Sequence, residues 1–433
     1  MLVPTHWLGS RREKRYEYLA MAEQRGNDVT RPPVVVGGLW YTGAVLMRCF
    51  ARRGLTVYGF DRDAEQLGFG TCYGRTLLCP DPDSNPEGWC RFMLDLRQRI
   101  GTRPVLMSAA DVFTSAIARH ADALAEHYIF RPEAYQIQAR LATKLEQYRV
   151  AAEQGMPIAL TRVTSSLADV MAFSAEARFP CLLKPRHARV WLSVPKGHPL
   201  HDRKTIQAAT PADLLDAYRL VAPVDAEVVL QEIIEGPDSN KLVYLSCWGE
   251  GGRRLGSCLV GAYRSHPAGF GSCSTVEPVR DATTEELCER FLSGLRYSGF
   301  CEIELKRDSR DRSVKMIEAN PRYSSTSDAA QYGGVDIAWL HYLDLLGEPV
   351  QPLTTQRWNW RHVHVLREVG VLVNRRDHPH FTWSDWFYSM RPPVYFFDWD
   401  WRDWRAMAKT AVSAVCTIRD GLRARLRSQP LSR

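Results

Sequence analysis

From Pro33 onward the apolar positions change period in a regular way. Val34-Val35-Val36 is a short buried run, Ala44–Arg53 carries helical spacing, and Leu55–Phe60 reads as a second strand ending at Asp61. Val105-Leu106-Met107 repeats the strand signal, and Ala110–His120 repeats the helix. Strand and helix in alternation predict a parallel α/β domain over residues 31–130. A different rhythm begins at Pro132. It predicts a helix over Lys144–Gln154, stopped by Gly155 and Pro157, and short strands at Cys181–Leu183, Val228–Ile234, Leu242–Cys247 and Leu259–Tyr263. Between them Thr210-Pro211 opens a helix, with Thr as the cap and Pro in the first helical position. Strands at Cys301–Arg307 and Val314–Ala319 flank a polar turn, Asp308–Arg312, within a second region spanning 131–350.

The two ends differ from this middle. Residues 1–30 are polar and charged, with a weak helical patch at Tyr16–Met21, and read as an extension. After Gly347-Glu348-Pro349 the composition shifts: seven of the 13 tryptophans follow residue 350, so 351–433 reads as a Trp-rich appended segment. Within it Trp404, Met407, Ala411, Val415, Ile418, Leu422 and Leu426 recur at helical steps, opposite Arg405, Lys409, Arg419, Arg423 and Arg427. Such a basic amphipathic helix suits peripheral contact with a membrane or a protein partner. Packing on the protein's own surface is the favoured alternative, and Trp358, Trp360, Trp383, Trp386, Trp399 and Trp401 are then expected to be buried or substrate-facing. No internal repeat is visible.

Composition narrows the class. With 45% hydrophobic and 24% charged residues, the 433-residue chain has enough apolar material for two or three cores and is neither collagen-like nor disordered. A net charge of +7 is too mild to imply nucleic acid, and none is expected as a partner. The 11 cysteines include no CxxC, which argues against a zinc ribbon or a thioredoxin-like site and fits a reducing cytoplasm, with the inner membrane face as an option. Ser10-Arg11-Arg12 is followed by more charge rather than an apolar core, so no export signal is read there. The longest uncharged stretch, Pro32–Met47, is too short to span a bilayer.

Candidate chemistry starts from exclusions. Gly37-Gly38 and Gly43 sit where a dinucleotide fingerprint would, but the spacing is not GxGxxG; a tight turn packing helix on sheet is the preferred reading. No GxxxxGK[ST] loop occurs. The hairpin at 301–320 is more informative. Alternation puts Glu302, Glu304 and Lys306 on one face, and Glu318 and Asn320 on one face of the second strand. With the turn centred near Asp311, Glu304 lies across from Glu318 and Glu302 across from Asn320. Like charges so paired repel. Either a divalent cation on Glu304, Glu318 and Asn320 relieves them, or the face is solvated and neutralised by Lys306 and nearby arginines. Lys184 ends an apolar strand before Pro185, where burial is costly without an anion, and Lys144 opposes the macrodipole at a helix start; each alone also fits a surface lysine.

Taken in order, four elements make the chain resemble the ATP-grasp superfamily, in particular predicted carboxylate–amine ligases related to D-aspartate ligases. They are Lys144 in Thr-Lys-Leu-Glu-Gln-Tyr, Leu-Leu-Lys184-Pro, the run Val229-Leu-Gln231-Glu232-Ile-Ile234-Glu-Gly236-Pro237-Asp238, and Glu302-Ile-Glu304 with Ile317-Glu318-Ala-Asn320-Pro321-Arg322. The resemblance covers about residues 33–350. It implies an α/β and α+β architecture: a Rossmann-like pre-ATP-grasp domain, then an ATP-grasp domain of two α+β subdomains. It implies phosphate contacts from Lys144 and Lys184, and adenine contacts from Gln231, Glu232 and Ile234. Asp238 falls at the ribose-binding acid, Glu304, Glu318 and Asn320 at the Mg²⁺ (or Mn²⁺) ligands, and Arg322 at the arginine that steadies the transferring group. Arg264 falls, more loosely, where related ligases place a basic residue near substrate. The loop after Lys184 (Arg186 to Trp191) lacks the usual small residues, so phosphate cover is expected from Arg186, Arg189 or Lys204. Thr143 stands where an Asp is usual.

The activity so implied is ATP-dependent joining of a small carboxylate to an amine through an acyl phosphate, releasing ADP and phosphate. The grasp closes over 185–200, and neither Cys181 nor Cys301 acts as nucleophile. Two alternatives stay open: a non-catalytic nucleotide-binding module recruited by the C-terminal helix, and a small-molecule kinase. Homodimerisation is also left open.

Overall fold

A computed structural model describes residues 31–427, apart from 186–190, 192–193, 196, 202, 204 and 379–380. Arg186, Arg189 and Lys204 therefore lie outside the described residues, as does half of the 185–200 segment expected to close the grasp.

The first domain is built on β1 (Val34–Gly37), α1 (Tyr41–Ala51), β2 (Val57–Asp61), β3 (Arg75–Leu78), α2 (Pro86–Ile100), β4 (Val105–Ser108) and α3 (Asp111–Arg119). Its sheet is parallel, in the order β3-β2-β1-β4. The all-buried Val34–Val36 run marks a strand covered on both faces. The glycine turn after β1 is structural. Gly38 has φ +96°, a Cβ there would meet the Ala110 Cβ at 2.7 Å, and a Cβ on Gly43 would meet the Gly38 carbonyl oxygen at 1.7 Å. Asp61 closes this turn by accepting from the Leu39 N–H at 2.7 Å.

Helices α4 (Pro132–Leu141) and α5 (Lys144–Glu153) lead into a small sheet made of β5 (Thr161–Thr164), β6 (Cys181–Pro185), β7 (Ile206–Ala208) and β8 (Val228–Glu232). This sheet is antiparallel, in the order β5-β8-β6-β7. It is backed by α6 (Leu167–Glu176) and α7 (Pro211–Val221), each started by a capping box, Ser166 with Asp169 and Thr210 with Asp213. The apolar sides of these helices and of β6 and β8 form one core around Trp191, Leu214 and Leu230.

The large sheet comprises β9 (Lys241–Trp248), β10 (Arg254–His266), β11 (Ser272–Pro278), β12 (Gly299–Arg307) and β13 (Val314–Asn320), with α8 (Ala282–Gly294) on one face. Helix α9 (Ile337–Leu345) joins the other face. Residues after 350 add β14 (Leu353–Thr354), β15 (Arg361–Val363), α10 (Val365–Val373), α11 (Trp383–Ser389), β16 (Val394–Phe396) and α12 (Trp404–Arg427). The sheet order is β13-β12-β9-β10-β11-β15-β16, with β14 beside β10. The C-terminal segment thus extends the large sheet. It is also tied to the first domain by Tyr41–Thr410 (2.8 Å), by Arg52–Asp400 (2.7 Å) and by Thr71–Asp403.

Most of the C-terminal tryptophans are not core. Trp360 is buried and Trp386 partly so, donating to Glu368, but Trp383, Trp399, Trp401 and Trp404 are exposed.

Candidate functional site

Helix α5 is clamped to β13: Gln147 Oε1 accepts from the Ala319 N–H at 2.7 Å, and the Tyr148 hydroxyl donates to the Ile317 carbonyl at 2.9 Å. The Thr143 cap contributes no side-chain bond to the helix start, so Lys144 stands at an end already positive by macrodipole. Across from it, the register pairing Leu182 with Gln231 and Lys184 with Val229 sets Lys184 and Gln231 on one face of the small sheet. Lys184 Nζ donates to Gln231 Oε1 at 2.7 Å, and Gln231 Nε2 donates to Thr161 Oγ1 at 3.0 Å. Burial, reinforced by the Lys144 charge and opposed by Glu318, lowers the Lys184 pKa to about 8. Burial likewise raises the Tyr148 hydroxyl to about 12, with Gln231 and Glu318 also acting on it. Lys144 and Glu318 thus lie within electrostatic reach of Lys184, which Gln231 holds by its hydrogen bond.

Glu232 does not join them through its side chain. Alternation turns it to the opposite face, where Oε1 accepts from the Arg178 N–H at 2.7 Å. Ile234 is buried two residues further on.

On the large sheet, Glu304 pairs with Glu318 and Glu302 with Asn320. A bulge follows, Leu305 pairing with Met316. Ile303 and Leu305 face the helix-covered core, which leaves the carboxylates on the opposite side. Glu302 is satisfied by the Asn320 amide (3.0 Å) and the Ser324 hydroxyl (2.5 Å), yet burial still raises its pKa. Glu304 is driven to about 8 by burial and then by Glu302 and Glu318, against the pull of Lys241 and Arg367. Arg322 donates to Asp111 Oδ1 (2.7 Å) and Oδ2 (3.1 Å) and to Asn320 Oδ1 (3.2 Å). Burial works against its charge, but Asp111 and the glutamates outweigh that and raise its pKa.

These groups line a polar cleft of ≈ 330 Å³ that also receives Trp40 and Arg367. Arg367, on α10, is held by the Cys273 carbonyl (2.9 Å) and Ser325 Oγ (3.0 Å). Burial lowers its pKa against the opposing fields of Cys273, Glu302 and Glu304.

Arg264 and Asp238 lie apart from the carboxylates, around a second cavity of ≈ 800 Å³. Arg264 is a clamp to the C-terminal segment: Nε and Nη2 each donate to Glu368 at 3.1 Å, and Nη2 donates to Ser389 Oγ at 2.6 Å. Asp238 pairs with Lys241 at 3.0 Å and accepts from the Gly269 N–H at 3.3 Å. Buried Lys241 donates also to Ser265 Oγ and the Gly271 carbonyl, and its field reaches Glu304.

Sequence reasoning missed three of these residues. Lys241 had a visible signal in its i,i+3 spacing from Asp238. Asp111 and Arg367 had none, being brought in from the first domain and from α10.

Two facing carboxylates with an amide oxygen alongside form a hard, all-oxygen donor set that fits Mg²⁺ or Mn²⁺. Among the described residues no three His, Cys, Asp or Glu side chains form a self-contained metal cage. A cation here would complete its shell with oxygens from outside the chain, as magnesium does on phosphates.

A parallel α/β domain followed by a small antiparallel sheet and a large, mainly antiparallel sheet that face each other across a cleft is the ATP-grasp fold, and this chain has it. No family model matches the chain. In sequence it is similar to D-aspartate ligase of Enterococcus faecium (strain Aus0004), 25% identical over 242 residues, which are 54% of this chain and 56% of that protein. The chain thus spans just over half the length of that curated relative. In structure it is similar to N5-carboxyaminoimidazole synthetase from Staphylococcus aureus, with a TM-score of 0.58 and 13% identity over 76% of this chain and 80% of that one. It is also similar to L-amino acid ligase from Bacillus licheniformis, with a TM-score of 0.54 and 15% identity over 73% of this chain and 74% of the other. A third neighbour is the biotin carboxylase domain of the Hydrogenobacter thermophilus 2-oxoglutarate carboxylase, solved with magnesium ADP and bicarbonate (TM-score 0.56, 14% identity, 76% and 73% covered).

Proposed function

We propose that this protein is an ATP-dependent carboxylate–amine ligase. It transfers the γ-phosphoryl group of ATP to a small carboxylate, then passes the acyl group to an amine, releasing ADP and phosphate. The observation that carries this reading is the apposition of Glu304, Glu318 and Asn320 on the large sheet, and Lys144 on the helix clamped to it, with Lys184 on the small sheet. A triphosphate with its divalent cation matches that alternation of charge.

Lys144 and Lys184 would neutralise phosphate oxygens, and Gln231 to Ile234 would edge the adenine. Asp238, steadied by Lys241, would meet a ribose hydroxyl beside the larger cavity. Magnesium on Glu304, Glu318 and Asn320 would supply charge neutralisation at the phosphates. Arg322 and Arg367, both fixed by hydrogen bonds and both lining the smaller cleft, would hold the acid's carboxylate in line with the γ-phosphorus. The second step breaks the acyl–phosphate bond as the amine forms the new C–N bond, and phosphate leaves with that electron pair. No side-chain nucleophile is needed: Cys301 and Cys181 are buried, and burial is the main cause raising their thiol pKa values.

The likeness to D-aspartate ligase makes D-aspartate the first acid to test. ADP release should require ATP, a divalent cation, an acid and an amine together. Stable phosphorylated acid formed without any amine would establish the kinase reading instead. Absence of Mg·ATP binding would remove both.

A further inference from the structure

We infer that α12 and the loop before it form a docking surface for an anionic lipid bilayer, a property separate from the ligase reading. Helix α12 is fixed to the protein along one side. Thr410 is buried and bonded to Tyr41, and Lys409 Nζ donates to the Gln66 carbonyl at 3.3 Å. The other side is apolar and uncovered. Trp404, Val412, Val415 and Ile418 are 66%, 64%, 63% and 40% exposed, against the sequence expectation that this stripe packs on the protein. With Ala408 and Ala411 they fall within one arc of about 120° at 100° per residue. Trp399 and Trp401 precede them, also exposed.

Charge selects the occupant. Residues 402–427 contain seven Lys and Arg against two acids, and one acid, Asp403, is buried on Thr71. Arg405 borders the apolar arc and Arg419 falls within it near its C-terminal end, and Arg402 and Arg405 lie over the rings of Trp401 and Trp404 at 5.3 and 5.4 Å. Outward apolar side chains, indoles at their margin and a basic flank are what an interfacial helix presents to anionic headgroups. A second copy of the chain would bring like charges together. Residues 1–30 offer no complement, with five Lys and Arg to four acids. No helix among the described residues is long and apolar enough to cross a membrane.

The test is flotation of the full chain with vesicles of phosphatidylcholine alone or mixed equally with phosphatidylglycerol. Co-flotation with the anionic vesicles is expected, weakening with added salt, together with a blue shift of tryptophan emission. The double variant Val412→Asp/Val415→Asp should bind about tenfold more weakly or worse, with unchanged circular dichroism and thermal midpoint, because both side chains are exposed. Failure to float with anionic vesicles would overturn the inference, and so would flotation that the double variant leaves intact. A lipid-free dimer abolished by the same substitutions would reassign the face to a second copy.

Discussion

Glu304 and Glu318 stand opposite one another on the β12–β13 ladder, and burial with the nearby Glu302 and Glu318 pushes the pKa of half-buried Glu304 up to about 8. In the bare protein this repulsion, with burial, favours the protonated form of Glu304, and a bound cation would let both carboxylates ionise. Glu318→Gln keeps the shape and removes one charge. It is expected to raise the metal-free thermal midpoint slightly, through loss of about 1 kcal/mol of repulsion. It should also reduce Mg·ATP turnover by about a hundredfold or more. Near-normal turnover would end the assignment of Glu318 to the metal.

Lys184 gives a pH dependence with a definite sign. Its pKa falls from 10.5 to about 8 on folding, so the unfolded chain binds more protons between those values and this residue's contribution to stability rises with pH across that window. A bound triphosphate favours the charged lysine. ATP affinity is therefore expected to be constant below about pH 8 and to fall above it, with proton uptake on binding detectable by calorimetry in buffers of different ionisation enthalpy. Lys184→Met should bind weakly at every pH. A wild-type profile flat to pH 9.5 would place Lys184 away from phosphate.

The register of the acidic hairpin was legible because strand alternation has period two: a turn centred at Asp311 gives the pairs 302/320, 303/319 and 304/318, while the pairs nearer the turn are offset by the bulge, Leu305 meeting Met316. The Thr210-Pro211 helix start was legible for an equally local reason. Other helix starts carried similar signals, Asn85-Pro86 and the Ser166–Asp169 box among them, and were passed over. Arg367 is a different case. Nothing in Val-Leu-Arg-Glu-Val-Gly distinguishes it from a solvated helix residue; the strand pairing of β15 with β11 aims α10 at the carboxylates. The environment that gives Arg367 its meaning is assembled from residues 40 to 95 positions upstream, where local pattern has no reach.

Arg367 is accordingly predicted to serve the acid rather than the nucleotide. Arg367→Lys keeps a charge but loses the planar fork, and should lower kcat/KM for the carboxylate by about ten- to a hundredfold while leaving the KM for ATP within about twofold. Equal effects on both substrates would mean that Arg367 only supports the fold around Cys273 and Ser325.

Arg264 is predicted to be architectural, although the family resemblance places it near substrate. Its side chain and that of Glu368 are 11% and 5% exposed, and Glu368 also accepts from Ser274, Thr275 and Trp386. Arg264→Ala would strand a buried carboxylate, which costs about 3–5 kcal/mol, read as a lower denaturation midpoint. Arg264→Met with Glu368→Gln removes both charges together while the amide oxygen keeps accepting from the hydroxyls, so most of that loss should be recovered. The decisive readout is activity per folded molecule. If Arg264 acts only by joining β10 to α10 and α11, the double variant turns over like the wild type. If it touches substrate, the double variant is as stable as expected and still inactive, and the clamp is then also part of the acid or amine subsite.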